Sequence, residues 1–314
     1  TDRSNAARTQ LLNLAKGQWD AELCALFGIK MTSLPKVCDS SHIFGETHGT
    51  DALPEGVPIA SAIGDSHAAL FGHGAFGTGD GKITFGTGSS IMTTLPTFTT
   101  PPKGITTTIA WSLNGKSTYA FEGNILVSAA IFPWAAQMLG LADVDALLEL
   151  AQTVEDAEGV SMIPAHVGLG SPHWDSHARG LISGLSFNSI PAHVARAAAD
   201  SLAYQVADIY DIIAMAMPDI GSLLVDGGPS ANPFLMQLVA ESLSKAVTPC
   251  RNSEASALGA AHLAGLATKF WPDLGSLSKI AAHGTPYTPR TKTAQNQSSR
   301  TGWHAAIART TLRL

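Results

Sequence analysis

The sequence has 314 residues, 45% hydrophobic and 14% charged, with a formal net charge of −6, which suits a large buried core and a length prior of roughly two domains. It contains no basic run of five or more residues, so nothing in it points to a nucleic-acid or membrane-surface partner. No apolar run reaches transmembrane length and no signal-peptide pattern opens the chain, so the default reading is cytoplasmic.

In chain order, TDRSNAARTQLLNLAKGQWDAEL at residues 1–23 runs from a polar cluster into a segment whose Leu11, Leu12, Leu14 and Trp19 fit one amphipathic helix. Residues 31–58, with Pro35, Pro54 and Pro58, are expected to be loop, and IASAIG at 59–64 a short strand running into Asp65. In open α/β sheets ligands bind at the carboxyl ends of strands, which makes Asp65 a candidate functional acid.

Residues 64–90, GDSHAALFGHGAFGTGDGKITFGTGSS, are dense in glycine, as where backbone must turn sharply or approach a ligand. GHGAFG at 72–77 has the spacing of a dinucleotide fingerprint, but that motif needs a strand before it and a helix behind it, and here the order is reversed. A Walker loop fails as well, because Phe76 and Ile83 stand where it needs glycine and a hydroxyl. Plain turn duty remains open for Thr78 to Gly81. KITFG and SSIMTTL flank the tight Gly86-Thr87-Gly88 bend as strands, and TTTIAWSL pairs with STYAFEG through an Asn114-Gly115 hairpin.

PAHVARAAADSLAYQVADIYDIIAMAM at 191–217 is the clearest helix, with Ser189 available as cap and Pro191 in its first turn. SLLVDGGPSANPFLMQLVAESL reads as strand, Gly-Gly turn and helix, with Asn232 as N-cap before Pro233. In the next helix, Ala257, Ala260, Ala261, Ala264 and Ala267 suggest a flat face for close packing. TKTAQNQSSRTG near the end is polar enough to be mobile. The alternation of elements gives an α/β class. Cys24, Cys38 and Cys250 are odd in number, far apart and without a CxxC, which argues for a reducing compartment and against zinc. His173 and His177 lack the glutamate of a metalloprotease helix, and Ser242 with Lys245 lacks the companion motifs of a serine hydrolase, so no metal site and no acyl transfer is read here.

Four blocks in this order, GDSHAALFG, ITFGTGSS, PHWDSHARGLISGLS and LLVDGGPSANPFLMQLVAESL, reinforced by EASALGAAHLAGLA, resemble the FGGY carbohydrate kinase family, which includes glycerol kinase and xylulokinase. The resemblance implies an actin-like, ribonuclease H-like α/β fold in two domains, the first incomplete, with 1–73 as the end of the N-terminal domain and 74–314 as the C-terminal domain. It implies ATP-dependent phosphorylation of a sugar or polyol hydroxyl, with Asp65 as general base, Gly86, Thr87 and Gly88 as a phosphate loop, and Gly227, Gly228 and Asn232 at the adenosine. For Asn232, capping and nucleotide contact are both open. Further nucleotide contacts would fall on Ala129 and Pro133, where family members have glycine and glutamine. Ser66 and Ser90 replace a glutamine and a phenylalanine of glycerol kinase, which opens room for a pentulose or pentitol in preference to glycerol. ATP and Mg²⁺ are the implied cofactors. The number of chains that assemble, a homo-oligomer included, stays open. The family has a further N-terminal stretch, with an Asp-x-Gly-Thr-type loop, that nothing here matches. The expectation is that this chain alone is a poor catalyst, the alternative being a non-catalytic nucleotide- or sugar-binding module.

Overall fold

The computed structural model describes residues 1–252, 254–290 and 294–312. The N-terminal part holds α1 (Arg3–Ala7), β1 (Leu12–Asn13), β2 (Gln18–Trp19), α2 (Ala21–Leu26), β3 (Ser41–Glu46), β4 (Pro58–Ser61) and α3 (Asp65–Gly72). A meander follows, β5 (Gly81–Phe85), β6 (Ser89–Leu95), β7 (Thr106–Leu113) and β8 (Lys116–Ile125), then α4 (Ile131–Met138), α5 (Val144–Ala151), β9 (Ser161–Ile163) and β10 (Leu181–Ser183). The last third contains α6 (Pro191–Ala216), β11 (Leu223–Asp226), α7 (Pro233–Leu243), β12 (Thr248–Pro249), α8 (Ala255–Ala267), α9 (Leu274–Ile280) and α10 (Ala294–Thr311).

The central sheet has the order β12-β11-β5-β6-β8-β7. On one side of β5 the strands are antiparallel, and on the other β11 and β12 run parallel to it. All four residues of β11 are buried, as expected of a parallel strand covered on both faces. The hairpin between β7 and β8 turns at Asn114 and Gly115, both at positive φ (51° and 79°), the backbone that an Asn-Gly turn supplies at little cost. Helix α6 lies across β8 at Gly123, where a Cβ would come within 2.5 Å of Ile209. Its Leu202, Val206, Ile209 and Ile213 are fully buried in the main core with Ile83, Phe85 and Ile91.

Helix α3 is fixed against α8 by two glycines. A Cβ on Gly72 would lie 2.2 Å from the Ala255 carbonyl oxygen, and one on Gly259 1.9 Å from that of Ala68, so the two backbones touch where side chains would hold them apart. This corrects the expected alanine face: Ala257 and Ala261 are exposed, while Ala255, Gly259, His262 and Leu263 are buried.

Other expectations also change. The single helix expected in residues 1–23 is a short helix, a two-residue-strand hairpin and a second short helix. Gln10 and Gly17 both take φ of 63°, which breaks a helix, Gly17 N donates to Asn13 O to close the turn, and Asp20 accepts from Glu22 N and Leu23 N to start α2. The loop expected at 31–58 contains β3, which pairs antiparallel with β4 but buries none of its side chains, so it leaves no alternating pattern to read. Ser189 does not cap α6; its hydroxyl accepts from Ser186 N, and Ile190 stands at the cap position. Within the terminal polar stretch residues 291–293 lie outside the described residues, and helix α10 begins at Ala294.

Candidate active site

Asp65 is the first residue of α3, four positions beyond the end of β4 that was expected to carry it. Its Oδ1 accepts from Ser66 N at 2.6 Å, and its carbonyl accepts from the Ser256 hydroxyl of α8 at 2.9 Å. The side chain is exposed. Ser66 Oγ lies 3.5 Å from Ser90 Oγ, so the two serines read as substrate residues stand side by side.

The Gly86-Thr87-Gly88 bend joins β5 to β6. Gly86 N donates to Gly88 O at 2.8 Å, so this amide is engaged within the bend. Gly88 must be glycine, because a Cβ there would meet Ile125 O at 2.4 Å. Ala129 N donates to Gly86 O at 3.1 Å, and Ser128 N donates to Thr87 O at 2.8 Å, which fastens the start of α4 to the bend. Gly227 has φ of +86°, and a Cβ on it would fall 1.8 Å from Phe85 O. Both Ala129 and Gly227 therefore abut the backbone at the end of β5.

Asp65, Ser66, Ser90, Gly86 and Gly88 line one cleft of about 660 Å³. Thr87, Ala129, Pro133, Gly227, Gly228 and Asn232 do not line it. Thr87 is exposed, as are Pro133 on α4 and Gly228 at the start of a short 3₁₀ turn. Asn232 caps α7, its Oδ1 accepting from Leu235 N at 3.1 Å. His173 and His177 sit exposed on a loop.

Sequence reasoning missed the charged groups behind the cleft. Lys82 is buried on β5, and its Nζ donates to Ser66 Oγ at 3.0 Å and Thr84 Oγ1 at 2.6 Å. Burial pushes its pKa down, while Asp226, Glu122 and Asp65 pull the other way. His73 pairs with Asp226 at the end of β11. Burial alone would push the Asp226 carboxyl up, but the His73 hydrogen bond and the Lys82 charge hold it below the usual carboxylate range. His67, two residues after Asp65, is driven down to about 4 mainly by burial and stays neutral near pH 7. Arg8 pairs with the buried Glu122, and both line the cleft. The signal for Lys82 was a lysine inside an apolar strand; Arg8 had none, since its partner lies 114 positions away.

Among the described residues no three His, Cys, Asp or Glu side chains converge as metal ligands. The one open buried carboxylate oxygen near the cleft, Asp226 Oδ1, belongs to a group that feels the Lys82 ammonium, which disfavours a cation there. The described residues do not fit a protein-ligated magnesium ion, and no step is derived through one.

The sequence matches the FGGY family of carbohydrate kinases in its N-terminal domain over residues 1–72 and its C-terminal domain over residues 81–268. The chain belongs to this family. It is 43% identical over 319 residues to an apulose kinase of Pectobacterium atrosepticum, covering 100% of this chain and 64% of that protein. It is 43% identical over 290 residues to a glycerol kinase of Bdellovibrio bacteriovorus, covering 89% and 57%. This FGGY chain thus spans less than two thirds of the length of either relative. The crystal structure of Plasmodium falciparum glycerol kinase with ADP superposes with a TM-score of 0.89 at 29% identity, covering 100% of this chain and 64% of that one. A ligand-bound xylulose kinase from Lactobacillus acidophilus, at 22% identity and a TM-score of 0.87 over 98% of this chain and 63% of its own, shares the fold. The fold is the actin-like, ribonuclease H-like α/β fold of these kinases, and the mixed six-stranded sheet is its central layer. No helix among the described residues is long and apolar enough to cross a membrane.

Proposed function

We propose that this chain carries the acceptor base and the nucleotide-facing half of an ATP-dependent carbohydrate kinase, with a pentulose or pentitol as preferred acceptor. The observation that supports it is the single cleft lined by Asp65 together with Gly86 and Gly88, the two glycines of the bend. In this reading the acceptor hydroxyl approaches Asp65, loses its proton to the carboxylate and attacks the γ-phosphorus of ATP in line. The new O–P bond forms as the bond to the β,γ-bridging oxygen breaks, and ADP leaves. Ser66 and Ser90 would orient the acceptor. Lys82 donates to Ser66 Oγ, and that hydroxyl's own proton goes to Met92 Sδ at 3.8 Å, a weak acceptor that a substrate oxygen would displace.

The nucleotide would extend past the bend toward Ala129, Pro133, Gly227, Gly228 and Asn232. Gly227 lets the turn after β11 close onto β5, and the capping role of Asn232 engages only its Oδ1, leaving the amide nitrogen for the nucleotide. Mg²⁺ would ride on the phosphates. The domain division proposed is 1–73 and 74–314. The setting is a cytoplasmic one, with a small sugar or polyol and ATP as partners.

The test is ADP release by the full-length protein with ATP and Mg²⁺ over a panel of glycerol, apulose, pentuloses and pentitols. Turnover fastest on a five-carbon acceptor, with Asp65→Asn lowering kcat by about 10²- to 10⁴-fold, is the expected result. Faster turnover on glycerol than on every five-carbon acceptor would overturn the substrate preference. ATP binding without ADP release on any acceptor would favour a non-catalytic binding module.

A further inference from the structure

The cleft that holds Asp65 also presents a guanidinium. Arg8 is the residue at the C-terminal cap of α1, a helix whose position is strongly determined. Asp2, fully buried, accepts from Ser4 N and Asn5 N, and Ser40 Oγ donates to it at 2.7 Å. The same helix holds the approach to the base, since Gly64 N donates to Ser4 Oγ at 3.2 Å, one residue before Asp65. Arg8 Nη1 pairs with Glu122 Oε2. The Glu122 side chain is only 4% exposed, whereas that of Arg8 is 48% exposed. One amino group is therefore pinned to a rigid strand while much of the fork stays open.

The charges around the cleft make this group stand out. Among its lining residues the acids are Asp65 and Glu122, and Arg8 carries the permanent positive charge. Lys82 lies behind Ser66, with its ammonium engaged by two hydroxyls. A phosphoryl group in transfer spreads negative charge over three equatorial oxygens and gains most from fixed donors already pointed at it. A guanidinium held on one side by a carboxylate has further N–H groups in a fixed plane for such oxygens.

We propose that Arg8 is a catalytic residue of this kinase, donating hydrogen bonds to the phosphoryl oxygens as the group passes from ATP to the acceptor alcohol, with Glu122 as its positioning residue. The proposal rests on the kinase reading and adds a residue to it. In the step, the acceptor oxygen bonds phosphorus, the bond to the ADP oxygen breaks, the hydroxyl proton goes to Asp65, and Arg8 exchanges no proton.

The experiment is steady-state ADP release by the full-length protein and its Arg8→Ala, Arg8→Lys and Arg8→Met/Glu122→Gln variants, with thermal unfolding measured alongside. Arg8→Ala should lower kcat by about 10³-fold with the KM for ATP changed less than about threefold, and added guanidinium should recover at least about tenfold of the loss. Arg8→Lys keeps the charge for Glu122 but loses the fork, and it should stay well below wild type while melting near it. If Arg8 served only to neutralise Glu122, the double variant would restore turnover; the proposal requires that it stay slow. A wild-type kcat in Arg8→Ala, restoration by the double variant, or a loss that guanidinium does not relieve would overturn the role of Arg8 and leave the kinase reading standing. No ADP release by the wild-type protein on any acceptor would overturn both.

Discussion

The chain before α3 and the layers that follow β5 hold together on different terms. Before α3 the elements are short, and the local core consists of Ala6 and Leu12 against Ile109 of β7. Leu26, Phe27, Ile29, Met31, Ile43, Leu53, Val57 and Ile59 in the same stretch are exposed. After β5 a continuous core runs from the sheet through α6 to α7. Asp65 belongs to the boundary, and it is the second region that fixes it: α3 is seated on α8 by paired glycines, and Ser256 holds the Asp65 carbonyl. The thin region supplies groups to the cleft, Arg8 among them, while the thick one sets where they stand.

The largest effect should come from breaking that seat. Gly259→Val would place its Cβ within 1.9 Å of Ala68 O, and neither backbone can yield without moving a helix, so a loss of about 4 kcal/mol or more is expected. Chemical denaturation would measure it. A loss under about 1 kcal/mol would mean that α3 is not held by α8.

A smaller effect separates the regions by pH. The His67 pKa lies near 4 in the folded protein, against 6.5 when exposed. The unfolded chain therefore binds more protons between those values, and stability falls as pH drops from about 6.5 to about 4, by about 3 kcal/mol for this group. Asp200 on α6, raised to about 6 mainly by burial, acts in the opposite sense, favouring the fold as pH falls from about 6 toward 3.8. His67→Asn should remove the first contribution alone, so its stability relative to wild type should rise on acidification. Urea titrations at pH 7 and pH 4.5 compare the two proteins, and an unchanged difference would contradict the buried neutral imidazole.

The smallest effect is expected on the exposed apolar surface. Leu26 is 76% exposed, and Leu26→Ser should change the unfolding free energy by less than about 0.5 kcal/mol. A larger loss would show that residues 26–59 are covered in the folded protein.

The same contrast governs what the sequence reveals. In β5 to β8, local signals suffice: alternating β-branched residues and the Gly-Thr-Gly and Asn-Gly turns place four strands, and Asn232 before Pro233 places α7. In residues 1–23 the leucine spacing suits a helix, but the positive φ of Gln10 and Gly17 and the cap at Asp20 decide otherwise. Strand β3 carried no pattern because neither of its faces is buried. Among the candidate residues, Asp65, Ser66, Gly86, Gly88 and Ser90, which share the cleft, could be singled out beforehand because their blocks are contiguous. Arg8, Glu122 and the His73–Asp226 pair were not, because each acquires its meaning from a partner brought near by the tertiary fold, and Lys82 offered only its place in an apolar strand.

The most direct measurement is a crystal structure of the full-length protein with a non-hydrolysable ATP analogue and a five-carbon polyol. The account predicts the γ-phosphate against the Gly86-Thr87-Gly88 bend and one acceptor hydroxyl within about 2.6–3.2 Å of an Asp65 carboxylate oxygen. A nucleotide in another opening, or a polyol whose hydroxyls all lie beyond the reach of Asp65, would contradict it.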